Sequence, residues 1–381
     1  RQRSVAKKKR SAQILFWQEA KRYMRYATAV YGQSMIHAAE VDARGNFPSR
    51  SGFSTATKEA ISKHINVPSA DDIIVADLDY AAGENNCEHL RHMVVVDHQH
   101  KTVVLAIRGT FNLDEIVMDS AAFSREFCGG EAHSEMATMA EGVWNAAGPK
   151  VKGMLEDNDD YEFIVTGHSL GAGTACLLMI MLETKKLLPP KQKVRCFAYA
   201  APPVYTPLEF VPKSVQATTN FVHQNDVVSF LSVHTVRKLF QQIRAVDAVS
   251  QDEMSRRERY KVLLGIQPPP QELIASVLEA AGAKVKPKKG APILSIPAKR
   301  IVWLKKKEDR DEEDGGKRLD LSDDDEDNFD DPDEGKDYGF QVLKPRDMLK
   351  VGIRVNPDML LDHFPPRYEH AFDHVNEFPS E

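Results

Sequence analysis

Three side chains in this 381-residue chain could together make an activated nucleophile: Ser169, Asp226 and His363. Ser169 sits in Gly167-His168-Ser169-Leu170-Gly171, a G-x-S-x-G spacing. A serine hydroxyl is a poor nucleophile at neutral pH. It needs a base to take its proton, an acid to orient and support that base, and donors for the negative charge that develops on the attacked oxygen. Asp226 stands just beyond Asn220-Phe221-Val222-His223, in a loop leaving a strand end, and His363 lies in Leu361-Asp362-His363 near the end of the chain.

The elements around Ser169 suit that chemistry. The apolar, β-branched run Phe163-Ile164-Val165-Thr166 predicts a buried strand, and Ala172 to Leu182 predicts a buried helix. A sharp strand-to-helix turn needs small residues on either side so that the two elements approach closely while the hydroxyl stays available. Gly167, Gly171 and Gly173 supply them. The helix that follows aims its N-terminal N–H groups and positive dipole end at the developing oxyanion. Residues 163–182 carry no formal charge, but the glycines with His168 and Ser169 in their middle predict a strand and helix buried on both sides, not a membrane span.

Other residues compete for these roles. His370 and His374 are also C-terminal, and their i, i+4 spacing imitates a zinc pair, but no H-E-x-x-H accompanies them, so packing or surface roles are expected. Asp119 is the second choice of acid, though it precedes the serine. His168 is expected to be structural. His98 and His100 fall in a predicted hairpin turn between strands 93–96 and 102–107, where solvation is expected and a metal is not. The acids from Asp323 to Glu334 imitate a calcium loop, yet Asn328 stands where glycine belongs and Asp330 where an apolar residue belongs.

Length allows one large α/β domain with insertions, and the overall charge of -6 conceals a strong polarisation. Six basic groups fall within residues 1–10, a basic arm, whereas Glu308 to Gly335 holds sixteen acidic and three basic residues. An amphipathic helix follows the arm, with Phe16, Ala20, Tyr23, Met24, Ala27, Val30 and Tyr31 at helical spacing until Gly32. Its expected place is on the core. A further helix is predicted over 133–155, and strands over 194–200, 217–223, 300–304 and 338–343. Strands alternating with helices predict a mostly parallel sheet flanked by helices. Residues 11–381 are expected to form a single domain with a helical insertion at 233–290 and a disordered acidic insertion at 308–337, which has too little apolar content to pack. Ser322, followed by acids, is a candidate kinase target. The four cysteines, Cys87, Cys128, Cys176 and Cys196, have no metal-ligand spacing and are expected as free thiols in a reducing compartment. No signal peptide or membrane span is visible, but the chain starts at Arg1, so an upstream anchor stays open.

The order serine, acid, histidine is that of the α/β-hydrolases. Ile107-Arg108-Gly109-Thr110, Gly167 to Gly173, His223 to Val228 and Asp362-His363 followed by Tyr368 resemble class 3, fungal-type lipases. Phe127 to Gly130 with Ala132-His133, and Phe197 to Val204, are most similar to the diacylglycerol lipase branch. The resemblance covers roughly residues 90–375, apart from much of 233–337. It implies an α/β-hydrolase fold with a large insertion before the catalytic histidine, Ser169 as nucleophile, Asp226 as acid and His363 as base. It also implies the backbone amides of Thr110 and Leu170 as the oxyanion hole, an interfacial lipid substrate, and neither cofactor nor catalytic metal. One departure is His133-Ser134-Glu135 where the family commonly has His-x-Gly.

The expected function is hydrolysis of an acyl ester of a glycerolipid, with diacylglycerol giving a monoacylglycerol and a fatty acid. A phospholipase, a triacylglycerol lipase and a catalytically silent lipid-binding scaffold are the rivals. The expected partner is a glycerolipid at a membrane or lipid-droplet surface and not nucleic acid. The expected location is cytoplasmic and peripheral to that surface.

Overall fold

The computed structural model describes residues 2–41, 57–78, 90–110, 124–232, 292–306 and 338–375, except 354, 355 and 357, with a few positions between 234 and 258. Cys87, Asp119, Ser322, nearly all of the 233–290 insertion and the acidic tract lie outside the described residues.

The chain opens with α1 (Gln2–Ala29), α2 (Gln33–Glu40) and α3 (Lys58–Ile65). The apolar stripe read from the sequence is the buried face of α1: Ala20, Tyr23, Met24 and Ala27 are enclosed and Phe16 is half-buried, with Trp17 enclosed beside it. The backbone of residues 2–10, set apart above as a basic arm, continues as the first turns of this helix. No glycine or proline interrupts those residues, and Lys, Arg and Ala favour helix.

An eight-stranded sheet follows. Its strands are β1 (Ile73–Asp77), β2 (His92–Asp97), β3 (Thr102–Ile107), β6 (Glu162–His168), β7 (Val194–Tyr199), β9 (Thr218–His223), β10 (Arg300–Lys306) and β11 (Tyr338–Leu343), adjacent in that order. The central strands β3, β6, β7, β9 and β10 run parallel, and antiparallel partners close both edges. This is the α/β-hydrolase sheet expected from the sequence.

Helices cover both faces, which is why the central strands are buried along most of their length instead of alternating between buried and exposed. On β3, Val103, Leu105 and Ile107 pack with α4 (Ser134–Asp157) and α5 (Leu170–Thr184), while Val104 and Ala106 face the cluster built on α1. The helix α6 (Pro212–Ala217) lies between β7 and β9, and α7 (Pro345–Val351) with α8 (Pro365–Asp373) complete the C-terminal end. Among the described residues no helix is long and apolar enough to cross a membrane.

A second, three-stranded sheet was not foreseen. β4 (Ser124–Phe127) and β5 (Gly130–His133) form a tight hairpin through Cys128 and Gly129, both at positive φ, and β8 (Tyr205–Thr206) pairs with β5. These strands are two to four residues long, and β4 and β5 carry charge, so they give no alternating pattern to read.

Candidate active site

Ser169 closes β6 and starts α5. Its φ of 61° and ψ of -128° are strained for a residue with a side chain, at a cost of about 1–3 kcal/mol. The surrounding packing enforces it. A Cβ on Gly167 would lie 2.6 Å from the Gly171 carbonyl oxygen, and a Cβ on Gly171 would drive into the carbonyl oxygen of Ile107 and sit 2.8 Å from the carbonyl carbon of Arg108. The turn is thus wedged against the end of β3, and only hydrogens fit there. Ala172 and Gly173 donate their amides to the Ser169 carbonyl, while Leu170 occupies the first turn of α5, where helix N–H groups have no intrahelical acceptor.

β9 ends at His223, and the loop after it carries Asp226, fully buried. His363 arrives from the turn before α8. The three side chains form one hydrogen-bonded line: His363 Nε2 is 2.8 Å from Ser169 Oγ, and His363 Nδ1 is 3.0 Å from each oxygen of Asp226. The serine hydroxyl can donate to Nε2 when Nδ1–H donates to the carboxylate, which is the arrangement that lets an imidazole accept the serine proton.

The acid is held on both oxygens. Val228 donates its amide to Oδ1 at 2.9 Å, and Tyr368 donates its hydroxyl to Oδ2 at 2.6 Å. Burial, with Asp226 beside it, pushes the Tyr368 phenol well above its ordinary range, so it stays a donor. The Tyr368 oxygen accepts from the amide of His223 at 3.0 Å.

Asp362 ties the loop carrying Asp226 to the turn carrying His363. Its carboxylate accepts from the Asn225 amide at 3.0 Å and from Arg367 at 3.2 Å, and its backbone carbonyl meets His223 Nδ1 at 3.0 Å. Burial pushes the Asp362 carboxyl up to about 7, outweighing the opposing Asn225 amide and Arg367. Burial holds His223 down to about 3, so it is uncharged at neutral pH.

His168, expected to be structural, packs its ring 4.6 Å from that of His363, centroid to centroid. Burial first, and then His363, holds it well below the usual imidazole range, so it adds no charge to repel an imidazolium at His363. One group among the described residues brings metal-ligating atoms within 4.8 Å of one another, namely His168, Asp226 and His363. Both nitrogens of His363 are already committed to the serine and the carboxylate.

The competing histidines stand elsewhere. His374 turns Nδ1 to the His370 carbonyl at 2.9 Å and the two rings pack at 4.0 Å, so they cap the end of α8. His98 bonds Tyr161, just before β6, and His100 bonds Asp97 within the hairpin. Thr110 follows Gly109 directly off the end of β3 and is half-buried. Gly109 itself packs against the turn: a Cβ there would come within 3.1 Å of Ser169 Cβ. Sequence reading missed the part of Asp362. An acid beside a histidine carries no signal until its partners are known.

Residues 104–235 match the family described as Lipase (class 3). The chain is 30% identical over 185 residues to diacylglycerol lipase-beta of Mus musculus, covering 46% of this chain and 26% of that one. It is 32% identical over 148 residues to the secreted mono- and diacylglycerol lipase A of Penicillium cyclopium, covering 35% of this chain and 44% of that one. It therefore spans less than half the length of either relative. Among solved structures, the lipase from Rhizopus microsporus var. chinensis aligns over 58% of this chain and 71% of its own, at 19% identity and a TM-score of 0.43. The resemblance to class 3 lipases drawn from the motifs is borne out.

Proposed function

We propose, with the class 3 lipase match as the premise, that this chain is a serine lipase that hydrolyses an acyl ester of a glycerolipid, with diacylglycerol as its substrate. The observation that carries the reading is the unbroken line from Ser169 Oγ through His363 to Asp226. Two relatives with diacylglycerol in their names support the substrate.

In this reading Ser169 Oγ attacks the ester carbonyl carbon as its proton passes to His363 Nε2. The carbonyl oxygen takes the negative charge and accepts from the amides of Thr110 and Leu170. Asp226 holds Nδ1–H and offsets the imidazolium charge, while Tyr368 and Val228 keep its carboxylate aimed. Collapse breaks the bond to the glycerol oxygen, which leaves with the proton from Nε2. Water, deprotonated by the same nitrogen, then cleaves the acyl-enzyme and releases the fatty acid. Ser169 has no solvent-accessible surface in this conformation, so acylation requires an opening that a lipid surface can favour. The enzyme accordingly works at a membrane or lipid-droplet surface.

The test is a panel of diacylglycerol, triacylglycerol and phospholipid presented in the same vesicles, with Ser169→Ala as control. Preferential release of fatty acid from diacylglycerol, absent in Ser169→Ala, is expected. Preference for phospholipid or triacylglycerol would move the substrate while keeping the mechanism. A chain that neither hydrolyses any of them nor reacts with a fluorophosphonate would be a silent scaffold.

A further inference from the structure

Tyr31 lies two residues beyond α1, outside the stretch matched to the lipase family, yet it reaches the centre of the site. Its ring is buried, and its hydroxyl meets three groups: the Gly109 amide donates to it at 3.2 Å, His168 Nδ1 lies at 3.1 Å, and the His168 carbonyl at 3.4 Å. One phenol proton and two lone pairs serve all three. Burial pushes the hydroxyl well above its ordinary range, so it remains protonated. Gly109 precedes Thr110, and His168 precedes Ser169. One oxygen atom therefore joins the loop bearing one oxyanion amide to the turn bearing the nucleophile.

We propose that Tyr31 is a positioning residue for the oxyanion side of the site, holding the Gly109–Thr110 backbone at a set distance from Ser169 through its bonds to Gly109 and His168. The inference rests on the assignment of Ser169 as nucleophile and of the Thr110 amide as an oxyanion donor. Oxyanion donors act only when they already lie at hydrogen-bond distance from where the charge will develop, so a small drift of this loop removes transition-state stabilisation and leaves ground-state binding alone. The helix that delivers Tyr31 is itself anchored. Arg195 grips Glu19 at 2.6 and 2.8 Å, Tyr199 donates to the Ala20 carbonyl, and Trp17 donates to the Phe372 carbonyl at 3.4 Å. The N-terminal helix thus acts as a strut whose far end is seated in the catalytic machinery.

The experiment compares wild type with Tyr31→Phe on p-nitrophenyl butyrate, with turnover counted per site titrated to completion by a fluorophosphonate, so that misfolded molecules drop out. Inhibition is measured with an alkyl trifluoromethyl ketone, whose adduct with serine carries an oxyanion, and with the corresponding secondary alcohol, which forms none. The expected result is a kcat lowered about tenfold to a hundredfold with KM changed by less than about twofold. The ketone Ki should rise by the factor by which kcat/KM falls, with the alcohol Ki unchanged. Unchanged kcat and ketone Ki, or equal weakening of ketone and alcohol, would overturn the proposal. If Tyr31→Phe does not fold, a ring-fluorinated tyrosine at position 31 keeps the packing and weakens the oxygen as an acceptor. A lower kcat with a raised ketone Ki then supports the proposal, and wild-type values for both sink it. Ser169→Ala separates the two levels: activity retained there removes the site reading itself, whereas a dead Ser169→Ala beside a fully active Tyr31→Phe removes only the role of Tyr31.

Discussion

Tyr368 donates its hydroxyl to Asp226 Oδ2 from a helix that starts two residues after His363, so one short C-terminal segment carries two of the side chains that bond the Asp226 carboxylate. Tyr368→Phe leaves the buried amide of His223 without this acceptor and one Asp226 oxygen without this donor. Leaving such groups unpaired costs about 1–3 kcal/mol of stability. Loss of aim should lower kcat on the order of tenfold with little change in KM. Urea unfolding and steady-state kinetics on one preparation check both, and a variant with wild-type kcat would show that Val228 alone suffices to hold the acid.

Ser169→Ala and His363→Ala should each lower turnover by on the order of 10⁴ to 10⁶ with folding preserved, because members of one proton-transfer line do not act separately. The double variant should be no worse than either single one. His370→Ala, which touches neither Ser169 nor Asp226, should retain turnover; the opposite ranking of the histidines would reassign the base.

Gly171→Ala should destabilise the fold by about 1–3 kcal/mol or more, since the added methyl meets the backbone of Ile107 and Arg108, which cannot rotate away as a side chain would. The denaturation midpoint and the rate of fluorophosphonate labelling should fall together. Normal stability would mean that the turn is less tightly wedged than described.

Asp362 gives the fold a pH dependence whose sign is set by burial. An ordinary aspartate titrates near 3.8, and in the fold this one is pushed up to about 7. Its neutral form is favoured in the folded state, so its contribution to stability is fully present below 3.8 and is lost as pH rises toward and through about 7. Asp362→Asn removes that titration. The wild type should therefore lose stability relative to Asp362→Asn between pH 4.5 and 8, with a slope of at most about 1.4 kcal/mol per pH unit. Parallel stability curves across that range would mean that Arg367 and the Asn225 amide keep the carboxylate charged.

What the sequence by itself determined is whatever lies within one local repeat. The G-x-S-x-G turn, the apolar strand before it, the buried helix after it and the stripe of α1 were legible because each follows from spacing along a few consecutive residues. The order of Ser169, Asp226 and His363 was legible too, as an ordered set of side-chain types. The resemblance already singled out His363 over His370 and His374, but the contact itself, with His363 between Ser169 and Asp226, was made by tertiary structure. His363 is 194 residues from Ser169 and 137 from Asp226, and only the parallel register of β6, β7 and β9 brings the three loop ends together. The same holds for Tyr31, 137 residues from His168, whose hydroxyl looks like one more member of an apolar stripe until α1 docks on the sheet. The short β4, β5 and β8 stayed hidden because none has a period of its own, and β8 is a strand only through its pairing with the distant β5. Local periodicity is written in covalent spacing, whereas a hydrogen bond between distant loops exists only after burial of the core has decided which strands are neighbours.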